Sequence, residues 1–229
     1  MAAIHDRCGG GDLRTNSESR RVTACLDGGT KAVDERVLDE QLWMDKVRAE
    51  MSEARYDHVV GVVEMADALA RRFGVNVADA RCAAWMHDLA REWPLERLTQ
   101  IAEEIDLPSG FASIPALLHG PVAAHFAARW FGIDNEDVLN AIRYHTTGRP
   151  GMSMLEKILY LADGIERGRV YPGVDHIRTL AESDLDQAVA ASFDNTLQYL
   201  ILTHQPIFPL TVMARNELWE RLTQAPQAR

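Results

Sequence analysis

A histidine and an aspartate adjoin one another inside a strongly apolar stretch of this chain. His87 and Asp88 stand within residues 77–90, where small and apolar side chains predict a buried helix. A buried polar group without a partner is costly, and an isolated buried carboxylate costs far more. Two interpretations of the pair stay open on this evidence: a mutual hydrogen bond or an ion pair with an arginine, or shared coordination of one metal ion.

Four more histidine and aspartate side chains stand at the ends of predicted helices or within apolar ones: His58, His119, His145 and Asp163. The helices of a bundle can bring such side chains to one focus, as carboxylate-bridged dimetal proteins do. Imidazoles mixed with carboxylates suit Fe, Mn, Zn, Co or Ni better than Ca or Mg. Two such ions about 3.5–4 Å apart can generate a hydroxide nucleophile and clamp a phosphoryl group. The residue types therefore indicate phosphoester hydrolysis.

The elements that must position these side chains are predicted to be helices throughout. Apolar residues recur with a period near 3.6, no alternating strand pattern of useful length occurs, and the nine prolines lie at or near predicted helix boundaries. The predicted helices fall near residues 37–47, 59–70, 77–90, 95–105, 122–131, 138–144, 154–165, 184–202 and 211–222. We predict an all-α fold, a single bundle of about nine or ten helices within residues 34–226.

The composition limits the classes of function. The chain has 229 residues and a net charge of −10, which disfavours loose binding to nucleic acid or to an anionic membrane. Three cysteines without a CxxC pair, and no membrane span or signal core, predict a cytoplasmic protein. Residues 1–33 contain five glycines and no apolar periodicity, so we predict a disordered leader there.

The order His58, His87–Asp88 and Asp163 resembles the HD-domain metal-dependent phosphohydrolases, and the inserted His119 and His145 resemble the dinuclear branch of that family. The resemblance implies that one metal binds His58, His87, Asp88 and Asp163, and that a second binds His119 and His145 with Asp88 bridging. It implies iron at this site, with Mn or another transition metal left open.

Two further segments are similar to a narrower family, the symmetric diadenosine-tetraphosphate hydrolases of the YqeK type. They are the tract His145–Met152 and residues 155–163, and the similarity extends over roughly residues 37–222. This resemblance implies hydrolysis of a dinucleoside tetraphosphate in its middle, through a metal-activated hydroxide, to two nucleoside diphosphates. The sequence departs from the family twice: Arg91 stands where Lys is usual, and Glu166–Arg167 where an acidic residue and Pro are usual.

Within this resemblance, the catalytic residues are predicted to be Asp88, Asp163 and Arg91. The predicted phosphate contacts are Arg91, Arg149, Lys157 and Arg169. For the last three of these cations, a solvated or salt-bridged surface role is an open alternative.

Other functions remain open as well. The same metal chemistry would serve a nucleotidase or a hydrolase of another nucleotide alarmone, because specificity depends on the shape of the pocket. A metal-free helical interaction module is the alternative from another class. The predicted partner is a nucleotide substrate rather than a nucleic acid or a membrane, and a homodimer is left open.

Overall fold

Ten α-helices make up the regular structure of the part of the chain that the computed structural model describes, residues 35–224. They are α1 (Glu35–Arg48), α2 (Glu53–Phe73), α3 (Val77–Met86), α4 (Leu95–Glu104), α5 (His119–Phe131), α6 (Glu136–Tyr144), α7 (Met154–Ile165), α8 (Val174–Leu180), α9 (Leu185–Leu202) and α10 (Pro209–Gln224). Two short 3₁₀ turns, Phe111–Ser113 and Pro115–Leu117, precede α5. Residues 35–224 contain no β-strand, which confirms the all-α prediction.

Most of the predicted helix ends match local capping chemistry. Asn135 accepts a hydrogen bond from the Asp137 backbone N–H at the start of α6. Ser153 and Glu156 form a reciprocal capping box that starts α7 at the predicted residue. Gly74 ends α2 with φ at 71°, a left-handed conformation that glycine adopts without steric cost.

Helix α7 lies at the centre of the bundle, packed against α2, α3, α6 and α9. Its residues 155–162 are all buried, so this helix is enclosed on every side. Burying side chains such as Leu159 and Leu161 contributes about 1.5–3 kcal/mol each. The packing places residues from five different helices within reach of one another.

The structure corrects the sequence prediction at several places. Helix α2 begins at Glu53, six residues before the predicted start near residue 59. Helix α3 ends at Met86, so His87 is its C-cap and Asp88 lies in the following turn rather than within a core helix. Helix α5 begins at His119, three residues before the predicted start at residue 122. Helix α8 was not predicted, because its seven residues are too few to show a clear period. The predicted leader, residues 1–33, lies outside the described residues.

Candidate metal centre

All six predicted metal ligands converge on one region of the bundle. His58 lies in the second turn of α2, His119 is the first residue of α5, and Asp163 lies near the end of α7. His87 and His145 are the C-caps of α3 and α6. Because these positions lie at or near helix ends, the side chains reach the same buried space from different directions.

Asp88 is at the centre of this group, and its two carboxylate oxygens face two different pairs of histidines. Its Oδ2 atom lies 3.8 Å from His58 Nε2 and 3.5 Å from His87 Nε2. Its Oδ1 atom lies 3.5 Å from His119 Nε2 and 3.7 Å from His145 Nε2. Ligands that bind one ion at about 2.0–2.2 Å lie roughly 3–4 Å apart. The structure thus brings together two metal-binding groups that share Asp88.

Asp163 adjoins the His58 side of this arrangement. Its Oδ1 atom lies 3.1 Å from His58 Nε2 and accepts a hydrogen bond from Arg169 Nη2 at 2.6 Å. Arg169 Nε also donates to the backbone carbonyl of Asp163 at 2.8 Å. The guanidinium therefore fixes both the backbone and the carboxylate of Asp163.

Three of the four imidazoles are oriented by their own backbone. His87, His119 and His145 each place Nδ1 on the carbonyl oxygen three residues earlier, at 2.6, 2.8 and 2.8 Å respectively. A carbonyl only accepts, so each Nδ1 carries the proton and each Nε2 presents a lone pair. Such a hydrogen bond fixes the tautomer that a metal-binding histidine needs.

Two of the Nε2 atoms lie near carboxylate oxygens but make no hydrogen bond within the described residues. The Nε2 atoms of His58 and His87 are buried and make no hydrogen bond there. An unsatisfied buried nitrogen is costly, and a cation held between these rings and Asp88 would satisfy both. The donor set therefore fits a divalent transition metal.

The protonation states of the centre agree with metal binding. Burial lowers the pKa of His87 to about 4 and the pKa of His119 to about 3, so both rings are neutral near pH 7. Burial alone would raise the pKa of Asp88, but the neighbouring histidines hold it well below its ordinary value. Neutral imidazoles and an ionised carboxylate are the forms that bind metals.

His145 differs from the other two buried rings. Burial lowers its pKa, but the hydrogen bond and the charge of Asp88 outweigh burial and raise the pKa above its ordinary value. Only the neutral ring, with its proton on Nδ1, presents the Nε2 lone pair, so a cation at His145 would favour the neutral form.

Three residues at this centre were missed as site residues by the sequence analysis. Arg55 Nη1 makes an ion pair with Asp88 Oδ2 at 3.0 Å. Thr146 Oγ1 lies 3.1 Å from His145 Nε2, and Glu166 Oε1 lies 3.3 Å from His58 Nδ1. Each had a signal in the sequence. Arg55 precedes His58 by three residues and so shares a face of α2. Thr146 stands in the tract His145–Met152, and Glu166 is the acidic residue that is usual at its position in the family.

A cavity of about 730 Å³ adjoins the centre. His145, Asp163, Arg91 and Arg169 line its inner end, and aromatic and amide side chains line the remainder: Tyr160, Tyr171, Asn195, Gln198 and Tyr199. A second recess of about 700 Å³ lies on the His58 side and is lined by Arg55, Arg167 and Arg169, among others. Arg169 lines both spaces.

The structure separates the four predicted phosphate-binding cations into two pairs. Arg91 and Arg169 line the cavity beside the centre. Arg149 instead binds the buried carboxylate of Glu156 with two hydrogen bonds, at 2.6 and 3.0 Å. Lys157 is buried and pairs with Asp186 at 2.6 Å. Neither Arg149 nor Lys157 lines the cavity, and their substrate contacts stay predictions without a supporting contact.

Among the helices of residues 35–224, none combines the length and the apolarity that crossing a bilayer would require.

The fold is an all-α bundle, and four of its histidines surround one shared carboxylate. This combination is typical of helical proteins that bind metal ions. Residues 55–168 match the family described as HD domain. The chain is 46% identical over 173 residues to a Bacillus subtilis protein named bis(5'-nucleosyl)-tetraphosphatase, symmetrical, covering 75% of this chain and 93% of the relative. A Staphylococcus aureus protein of the same name is 34% identical, with 74% of this chain and 89% of the relative covered.

A solved structure is also similar to this chain. A crystal structure from Clostridium acetobutylicum, described as a predicted HD superfamily hydrolase involved in NAD metabolism, has a TM-score of 0.75 and 40% sequence identity. The similarity covers 80% of this chain and 97% of that one. The chain therefore belongs to the HD-domain family and, within it, to the family of these tetraphosphatase relatives.

Proposed function

We propose that this protein is a metal-dependent hydrolase that cleaves diadenosine tetraphosphate, and related dinucleoside tetraphosphates, symmetrically into two nucleoside diphosphates. The observation that carries this proposal is the carboxylate of Asp88, shared between two histidine pairs beside a large cavity that His145 and Asp163 line. The names of relatives at 46% and 43% identity support the choice of substrate.

Two divalent ions are proposed for the centre, with iron as the metal. His58, His87, Asp88 and Asp163 would hold one ion, and His119 and His145 the other, with Asp88 bridging. When bound, such ions supply a Lewis acid that activates water near neutral pH and offsets phosphate charge. Mixed imidazole and carboxylate donors suit iron or manganese, and the relatives' names do not distinguish between them.

Arg91 and Arg169 are the proposed phosphate contacts, with Arg91 also in the catalytic set. Both line the cavity beside the centre, and Arg169 is oriented by Asp163. A guanidinium can bind two phosphate oxygens at once, which favours in-line geometry at an inner phosphorus. Burial would raise the pKa of Asp163, but His58, His87 and Arg169 hold it far below its ordinary value. Asp163 is therefore ionised and is proposed to orient the attacking water by accepting a hydrogen bond.

We propose that the cavity and the recess together hold a long substrate that is cleaved in its middle. Attack at the centre of a tetraphosphate requires room for half of the molecule on each side of the reacting phosphorus. The cavity of about 730 Å³, lined by Asp163, and the recess of about 700 Å³, lined by His58, are proposed to hold the two halves. The aromatic rings of Tyr171 and Tyr199 in the cavity are proposed to stack on one nucleobase.

Chromatographic product analysis tests this function. Protein prepared without oxygen and supplied with Fe(II) or Mn(II) would be incubated with diadenosine tetraphosphate. ADP as the sole product is expected, and activity should disappear on chelation and return with added metal. AMP plus ATP would contradict symmetric cleavage. No product at stoichiometric metal would favour another nucleotide, and NAD belongs in the same assay because the Clostridium relative is named for NAD metabolism.

The non-enzymatic alternative is tested by metal analysis. A metal-free interaction module would purify without stoichiometric metal and bind none on addition. The predicted cytoplasmic location and the homodimer left open by the sequence are tested by cell fractionation and by light scattering.

A further inference from the structure

The ring of His58 is held differently from the other three imidazoles of the centre. His87 and His145 stand at helix C-termini, where carbonyl groups of the last turn are free to accept from Nδ1, and His119 donates to Ala116 in the 3₁₀ turn before α5. His58 lies inside α2, where the carbonyls one turn back already accept helical hydrogen bonds. Its Nδ1 atom therefore needs an acceptor from another element, and that acceptor is Glu166 Oε1 at 3.3 Å.

The Glu166 carboxylate is fixed by its own surroundings. Its side chain is only 5% exposed, and Oε2 accepts a hydrogen bond from the Gly168 backbone N–H at 2.5 Å. Arg178 Nη2 donates to the Glu166 carbonyl at 2.8 Å, which holds the backbone of the segment after α7. A carboxylate held at both its backbone and its side chain can orient the ring that it contacts.

Helix α2 contains a glycine that this arrangement requires. A Cβ atom added at Gly61 would lie 2.6 Å from Glu166 Oε2. Glycine inside a helix is unfavourable relative to alanine, so Gly61 is not explained by the helix itself. Its missing side chain leaves the space that the carboxylate occupies beside His58.

We propose that Glu166 is a positioning residue that orients His58 toward the metal centre, and that Gly61 provides the space for it. This inference rests on the proposed metal centre. A carboxylate that accepts from Nδ1–H leaves Nε2 as the ligand atom, and partners of this kind typically affect metal affinity by about 10- to 100-fold. Glu166 does not line the cavity of about 730 Å³; it lines the recess on the His58 side, and the role proposed for it is to orient His58.

The test is Mn²⁺ binding to chelator-treated protein, measured by the electron paramagnetic resonance signal of free Mn²⁺. Glu166→Ala is expected to weaken Mn²⁺ binding by about tenfold or more, and Glu166→Gln, which keeps an acceptor oxygen, to recover part of the loss. The matched control is Glu156→Gln, which alters another buried carboxylate of the same chain segment without contacting a ligand. This control should keep wild-type Mn²⁺ affinity even if its melting temperature falls.

A double-mutant cycle separates positioning from simple packing. Gly61→Ala should displace the carboxylate and weaken Mn²⁺ binding in the wild-type background, but leave the affinity of Glu166→Ala unchanged. In the Glu166→Ala background an alanine at position 61 has room. Because alanine favours a helix more than glycine does, Gly61→Ala should there raise the melting temperature of the protein. Wild-type Mn²⁺ affinity in Glu166→Ala, or equal losses from Gly61→Ala in both backgrounds, would overturn the inference. Wild-type protein that binds no Mn²⁺ would instead overturn the proposed function.

Discussion

The buried carboxylate of Asp88 is stabilised by several neighbouring side chains at once. It is buried, yet it remains ionised because histidines surround it and Arg55 pairs with Oδ2 at 3.0 Å. Removing such a group leaves the opposing rings without a shared ligand. The chemistry of the centre therefore depends on this residue more than on any single histidine.

Substitution of His87 or Asp88 tests the centre directly. His87→Ala or Asp88→Ala is expected to lower metal content and to reduce hydrolysis by about a thousandfold or more, because metal-assisted charge stabilisation is worth several kcal/mol. Metal content by mass spectrometry and initial rates would be measured on the same preparations. An inactive variant with full metal occupancy would place catalysis outside these ligands.

Cys82 illustrates a residue that is near the centre in sequence but chemically inert. Burial raises the pKa of its thiol to about 12, with a smaller contribution from Asp79. At pH 8 only about one thiol in ten thousand is then ionised, and the thiolate is the reactive form.

The thiol is therefore expected to resist alkylation in the folded protein. A Cys8→Ser/Cys25→Ser variant carries Cys82 as its sole thiol. Iodoacetamide at pH 8 should leave the native variant unmodified for hours, as seen by mass spectrometry, and modify the unfolded variant within minutes. Equal rates in both states would show that the thiol is accessible and ionised.

At the scale of elements, α7 connects the core to the centre. Its residues pack against α2, α3, α6, α8 and α9, and near its end it presents Asp163 to the proposed metal ligands. Lys157 on the same helix reaches Asp186 on α9, at 2.6 Å. The ion pair therefore joins two helices, and α9 also lines the substrate cavity through Asn195.

Breaking this ion pair tests whether Lys157 is structural. Lys157→Met is expected to lower the free energy of unfolding by about 1–3 kcal/mol, because Asp186 loses a charged hydrogen-bond partner. The KM for the tetraphosphate should not change, since Lys157 does not line the cavity. Denaturant unfolding and steady-state kinetics would measure the two effects.

The control is Arg48→Met, which removes an exposed ion pair with Glu53 and should change stability very little. A raised KM with unchanged stability in Lys157→Met would instead support the phosphate contact that the sequence predicts.

At the scale of the whole molecule, the centre and its cavity draw on residues from Arg55 to Leu202. None of the site residues predicted from the sequence lies in residues 1–33. Deleting residues 1–33 is therefore expected to leave kcat/KM within about twofold and the melting temperature within about 2 °C of the full chain. A large loss of either would mean that this segment contributes to the folded domain.

Several features could be predicted from the sequence because their signals are local. Helical periodicity and capping residues such as Asn135 and Ser153 depend on neighbours within one turn. Histidines and aspartates in apolar surroundings mark candidate ligands without any knowledge of the fold. The end of α3 was misplaced because residues 87–90 are as buried as the helix before them, so hydrophobicity does not change at the helix end.

The contacts that make these residues a site depend on the tertiary structure alone. Arg55 meets Asp88 across 33 residues of chain, and His58 meets Glu166 across 108 residues. The same packing pairs Arg149 and Lys157 with acidic side chains, where the sequence suggested phosphate contacts. Periodicity states which face of a helix is buried but not which side chain lies opposite. The residue types therefore determined the ligand chemistry, and helix packing decided which groups share Asp88 and which cations face the cavity.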